Sequence, residues 1–169
     1  LGSDIVMIFD ECTPYPATYT QAKQSMELSV RWAERSKQAH GDSLKALFGI
    51  VQGGSYPHLR EISAKFVSSF DLPGIAVGGV SVGETVEEIH KVIKLVPNYL
   101  PQHKPKYLMG IGSLKEISLA IANGFDLFDC VLPTRLGRHG TAFLNDERMN
   151  LRNSRFKNDF SPIDKTCNC

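Results

Sequence analysis

Asp129 interrupts an apolar run, Leu127-Phe128-Asp129-Cys130-Val131-Leu132, and Asp10 closes another that begins at Ile5. A carboxylate among such neighbours needs a partner or a function, because burying it bare costs several kcal/mol. Asp10 also stands just ahead of Thr13-Pro14-Tyr15-Pro16, a turn-forming stretch where an acid can equally serve as a helix cap. Other residues point to other chemistry. Gly110-Ile111-Gly112, ahead of a helical stretch, has the form of a phosphate cradle but lacks the third glycine of a dinucleotide fingerprint. Lys106 is a candidate for Schiff-base chemistry, yet it opens its strand and would lie at the end of a barrel opposite the catalytic rim. Cys167-x-Cys169 offers two thiolates where a closed zinc site needs four ligands. Cys12 and Cys130 fall at or in strands and read as small buried apolar residues. Between Arg135 and Lys157 six basic residues stand against two acidic ones, a local +4 in a chain of net charge +1. Basic residues after a loop leaving the active face fit a polyanion lying across it; a solvated surface explains the same charge.

The elements that must position these residues alternate. Apolar runs at Ile5–Asp10, Ala46–Gln52, Gly74–Gly79, Lys106–Gly112 and Leu127–Leu132 predict strands. Helical periodicity lies between them. One stretch places Leu59, Ile62, Phe66 and Phe70 on a face, and another, from Glu84 to Val96, does so with Val86, Ile89, Ile93 and Val96. A third opens on Ser113 and Glu116, spaced as a capping box, and closes at Asn123-Gly124; the longest runs from a Thr18/Gln21 cap to His40. Strands separated by helices imply a parallel sheet, and strands this apolar imply a sheet covered on both faces. In such folds the C-terminal strand ends form the binding face, so Asp10, Gln52, Gly79, Met109 and Asp129 should converge there. A doubly wound sheet and a (β/α)8 barrel both fit; in the second, which needs about 250 residues, five strands are the last five of eight. The expected division is a partial barrel over 1–140, then a hairpin around Asn145-Asp146 and a basic linker over 141–169. The chain, which starts at Leu1 and stops inside a Cys cluster, reads as a fragment.

Composition narrows the classes further. With 42% apolar and 22% charged residues, 169 residues exclude a disordered, collagen-like or coiled-coil chain. No run approaches the ~18 apolar residues of a membrane span, the opening residues lack signal-peptide form, and four Cys make no disulfide scaffold, so the expected compartment is the cytoplasm.

The segments FDECTPYPA (9–17), FGIVQGG (48–54), AVGGVSVGE (76–84), YLMGIG (107–112), FDCVLPTRLGRHG (128–140) and the terminal CNC resemble the tRNA-guanine transglycosylases, in order and over essentially the whole chain. The resemblance implies a (β/α)8 barrel with a structural zinc subdomain whose ligands read CxCxxC plus a distant His, here cut after Cys167 and Cys169. It implies exchange of guanine at the anticodon wobble position of tRNA for a 7-deazaguanine, with a homodimer as the complete form. By motif, Asp129 is the nucleophile toward C1′ of the ribose, as in glycosidase-like covalent catalysis. Asp10 and Gln52 bind the base: an ionised Asp10 accepts from guanine N1–H and N2–H₂, and an amide or backbone N–H donates to O6. Gly79 brings its N–H toward O6, Met109 packs on the base, and Arg135 and Arg138 hold the anticodon loop. Cys12 and Val82 resemble the bacterial branch, whose substrate is preQ1, whereas His139 departs from the Asn expected there. The family's second catalytic carboxylate falls outside this sequence, so the segment alone is expected to be inactive. A barrel lyase or aldolase on a small metabolite and a noncatalytic tRNA-binding subunit stand as alternatives.

Overall fold

The computed structural model describes residues 2–144 and 147–166. β1 (Ile5–Met7), β2 (Ala46–Val51), β3 (Gly74–Val77), β4 (Lys106–Leu108) and β5 (Leu127–Phe128) form one sheet, all parallel. Between them run α1 (Tyr19–His40), α2 (Pro57–Ser68), α3 (Val86–Leu95) and α4 (Leu114–Ala122). Spatial order equals sequence order, β1-β2-β3-β4-β5. A doubly wound sheet reverses its strand order at a switch point; this one does not, and the sheet is that of a partial (β/α)8 barrel. Among the described residues no helix is long and apolar enough to cross a membrane.

The strands stop earlier than the apolar runs predict. Each of β2 to β5 ends one residue before a polar residue, a glycine or Met109, and Gly110-Ile111-Gly112 and Cys130-Val131-Leu132 lie outside the sheet. Val51, Ile75, Val77 and Leu108 face the helices and pack with Val67, Ile93, Val96 and Ala120. Ile50, Ala76, Tyr107 and Met109 pack with Ile8 in a second cluster.

Helix ends follow the expected caps with one change. Thr18 and Gln21 cap each other in full, as do Thr85 and Glu88. Ser113 accepts from Glu116 N–H, but the Glu116 carboxylate turns to His90 on α3, 3.4 Å away. The buried face of α2 differs from the expected Leu59, Ile62, Phe66 and Phe70. It is Leu59, Arg60, Ser63, Ala64 and Val67, and Ile62 is 41% exposed. Small residues win this face because α2 lies so close to the sheet loops that a Cβ on Gly53 would stand 2.7 Å from the Arg60 backbone N.

The chain divides into two compact units, Leu1–Asp129 and Cys130–Cys169. The second begins with α5 (Leu132–Arg138), a short helix where the sequence reads as loop, followed by the antiparallel pair β6 (Thr141–Leu144) and β7 (Glu147–Asn150). Within this unit α5 packs with β6. The hairpin residues Asn145 and Asp146 lie outside the described residues.

Candidate active site

Register builds the site. Val51 pairs with Val77, Val77 with Leu108, and Leu108 with Phe128. The next residue of each strand therefore lies in a single row, which reads Gln52, Gly78, Met109, Asp129. Parallel partners share a face, and side chains alternate along a strand. The row thus follows Ile50, Ala76 and Tyr107, on the face away from the main helix-packed core.

Asp10 joins this row from the loop after β1. Its Oδ2 accepts from Gln52 Nε2 at 2.6 Å. Gln52 is wholly buried, and its backbone N–H donates to Ser63 Oγ on α2 at 3.0 Å. Its Oε1 has no hydrogen-bond partner among the described residues. A buried acceptor without a donor is costly, and its natural complement is a donor brought by a ligand. One Nε2 hydrogen is held by Asp10 and the second is left for another acceptor. Gly79 follows with φ +59°, and a Cβ there would collide with Gln52 Oε1, so the conformation and the space both demand glycine.

Asp129 is the first residue beyond β5 and is exposed rather than buried in a strand. It is nonetheless paired. Its Oδ1 accepts from Tyr107 Oη at 2.7 Å and from Gly110 N–H at 2.8 Å. Both donors use the same oxygen; no described residue hydrogen-bonds Oδ2. Burial, then the hydrogen bond and charge of Asp129, push the Tyr107 phenol up to about 12. Gly110, which sequence reasoning weighed as part of a phosphate cradle, spends its N–H on this carboxylate instead.

Cys12 is an exposed loop residue, not a buried strand residue. Partial burial, then the nearby Asp10 charge, push its thiol above the ordinary range, with Arg60 opposing them. Val82 is exposed in the loop after β3, where Glu84 caps the N–H groups of Ser81 and Val82. Lys106 is buried at the opposite strand end, where its Nζ donates to the carbonyls of Gln102 and Lys104 at 3.5 and 3.4 Å. That placement removes it as a Schiff-base lysine of this rim.

Sequence reasoning missed Arg60, Ser63 and Tyr107. Arg60 is 1% exposed and donates to four carbonyls: Gly54 at 2.9 Å, Val51 at 3.1 Å, Gly78 at 2.6 Å and Gly79 at 2.7 Å. Burial lowers its pKa to about 10, so it remains a cation at neutral pH. A signal was present: Arg60 stands four residues before Ala64 and seven before Val67, on the stripe of small residues.

In the second unit, Arg135 and Arg138 are exposed on α5. The Arg135 carbonyl accepts from His139 Nδ1 at 2.7 Å and the Arg138 carbonyl from Arg152 at 2.8 Å. Cys130 Sγ accepts from Leu132 N–H at 3.3 Å. Cys167 and Cys169 lie outside the described residues, among which no cluster of three or more His, Cys, Asp or Glu is placed to hold a metal ion.

The family model for queuine tRNA-ribosyltransferase matches residues 1–169. The chain belongs to that family. It is 71% identical over its whole length to a queuine tRNA-ribosyltransferase of Prochlorococcus marinus strain AS9601, 71% to that of strain MIT 9515 and 57% to that of strain MIT 9313. In each case it covers 45% of the relative, so the chain spans about half the length of the curated relatives it matches.

The geometry around Asp129 yields a test. Asp129→Asn removes the charge and leaves only a weaker, neutral acceptor, so the Tyr107 pKa should fall from about 12 toward the ordinary value of 10. Ultraviolet titration of tyrosinate, taken as the difference from Tyr107→Phe, reads this directly. An unchanged midpoint would mean that Tyr107 and Asp129 are not bonded in solution.

Proposed function

We propose that this chain forms the base-binding half of a tRNA-guanine transglycosylase that exchanges the wobble guanine for preQ1 through a covalent Asp129–ribose intermediate. The observation that carries the reading is the Asp129 carboxylate. One oxygen is anchored by Tyr107 and Gly110 and the other is free, in the same row as the Gln52–Asp10 pair. Oδ2 attacks C1′ of the ribose, and the C1′–N9 bond breaks with its electron pair passing to guanine, which takes a proton from solvent and leaves. The incoming 7-deazaguanine gives its N9 proton to solvent and its nitrogen lone pair forms the new C1′–N9 bond. The C1′–Oδ2 bond breaks as that bond forms, and its electron pair returns to Asp129 and restores the carboxylate. Two donors on Oδ1 hold the carboxylate in place and keep the negative charge shared with the free oxygen.

Base recognition follows from the groups at the row. Asp10 accepts from N1–H and N2–H₂ of guanine, the spare Nε2 hydrogen of Gln52 and the Gly79 N–H are donors for O6, and Met109 packs on the ring. Arg135 and Arg138 follow Asp129 closely along the chain, and in this reading they hold anticodon-loop phosphates. A homodimer is the proposed complete form. Cys167 and Cys169 fit zinc in donor type and fill half of its coordination; they would hold a structural Zn²⁺ with ligands from outside the described residues.

In a full-length enzyme carrying this segment, Asp129→Asn should bind tRNA and form no covalent adduct on a denaturing gel. A denaturation-resistant adduct with this variant would assign the nucleophile elsewhere. Asp10→Asn should instead weaken base binding by about 1.5–3 kcal/mol, roughly 10- to 150-fold, because an amide cannot accept from both donors as a carboxylate does. Replacing Arg135 and Arg138 together by Ala should lower the slope of log K against log salt for tRNA binding by about 1.4, with free-base binding unchanged; an unaltered slope rules out phosphate contacts. Metal analysis after mild chelation should find one zinc per full-length chain and far less than one on this segment alone. Stoichiometric, chelator-resistant zinc on the segment would overturn the shared-site reading.

A further inference from the structure

Arg60 is a cation placed where a cation is expensive. It is buried, and no described carboxylate pairs with it within 4 Å; the groups that hydrogen-bond it are all backbone carbonyls, with Glu84 acting on its charge only from a distance. An apolar residue on the inner face of α2 would avoid the desolvation cost of an unpaired charge. The four carbonyls explain its presence. They come from three places: the end of β2 (Val51), the loop that follows β2 (Gly54) and the loop that follows β3 (Gly78 and Gly79). A planar fork of donors spans them in a way that a single ammonium cannot.

The consequence lies on the far side of two peptide bonds. In a trans peptide the C=O and N–H point in opposite directions. Holding the Gly78 carbonyl therefore turns the Gly79 N–H away from α2, and holding the Gly79 carbonyl does the same for the Val80 N–H. These glycines border the base site itself: a Cβ on Gly78 would stand 3.5 Å from Asp10 Oδ2, and one on Gly79 would collide with Gln52 Oε1. Ser63, one turn further along α2, fixes the Gln52 backbone from behind. Hydrogen bonds in series also polarise one another, so a guanidinium on the carbonyl strengthens the N–H at the other end of the peptide.

We propose that Arg60 is a positioning residue for base recognition: it orients and polarises the Gly79 and Val80 N–H groups as donors to the O6 edge of the purine. This rests on the base-site reading above and extends it to a residue that does not touch the substrate. The arrangement stabilises charge where it builds, because guanine leaving from C1′ gathers negative charge that spreads to O6. Asp10 reads the N1 and N2 edge without help from Arg60, so the two edges should respond separately.

The test measures inhibition of base exchange by three free bases in a full-length enzyme carrying this segment. Guanine presents both edges, 6-thioguanine keeps both donors but replaces O6 by a weaker acceptor, and hypoxanthine keeps O6 but lacks the N2 amine. The wild type should prefer guanine to both analogues. Arg60→Met should shrink the preference over 6-thioguanine about tenfold and leave the preference over hypoxanthine and the KM for tRNA within about twofold. Arg60→Lys, which keeps the charge and most of the stem, should show the same selective loss, and it decides the matter if the Met variant does not fold. Two results overturn the positioning role: an unchanged 6-thioguanine preference in either folded variant, or loss of both preferences together. A wild type with no preference for guanine over either analogue overturns the base-site reading and this proposal with it.

Discussion

Parallel register is the constraint on which everything else in this molecule rests. A strand that slips by one residue turns every side chain to the other face. The ladder from Val51 to Val77, Leu108 and Phe128 is short, only two to four pairs per interface, yet it sets Gln52, Gly78, Met109 and Asp129 side by side. The apolar outward residues hold that register, since Ile75, Val77 and Leu108 would each leave the helix-packed core if it slipped. Packing on one side of the sheet thereby specifies polar geometry on the other.

The polar residues divide into two groups with different supports. Asp129 is held by Tyr107 of the adjacent strand and by Gly110 in the turn that follows it, through a side-chain and a backbone donor. The Asp10–Gln52 pair and the glycines after β3 are held from behind by α2, through Ser63 and Arg60. A helix that is ordinarily the outer layer of a barrel here supplies hydrogen bonds to the rim as well as apolar cover.

How much of this was legible beforehand depended on what each residue encodes locally. Strand order, helix caps at Thr18 and Ser113, and the strand-end placement of Asp10, Gln52, Met109 and Asp129 follow from periodicity and turn chemistry, which are local. The apolar run around Asp129 predicts a buried strand throughout, whereas Asp129 is exposed. The chain leaves the sheet at Phe128, and the following apolar residues belong to the approach to α5. The inner face of α2 was misjudged for a different reason. Its hydrophobic period favours Ile62 and Phe66, but contact distance to Gly53 selects small residues, and that distance is a property of the packed fold. Arg60 went unseen because its partners are backbone carbonyls, which no side-chain motif records.

The sheet has two open sides, β1 and β5, and the β1 side is the more consequential. Ile5 and Val6 are exposed there, and Phe9, at 77% exposure, stands edge-on to Trp32 with ring centroids 6.4 Å apart. Val6, Phe9 and Trp32 border an apolar hollow of about 660 Å³ that also takes in Met7 and Leu47. A strand with free N–H and C=O groups beside greasy side chains is a template for another strand. Apolar cover on this side of the sheet thus ends at β1, whereas β2 to β4 are each paired on both sides.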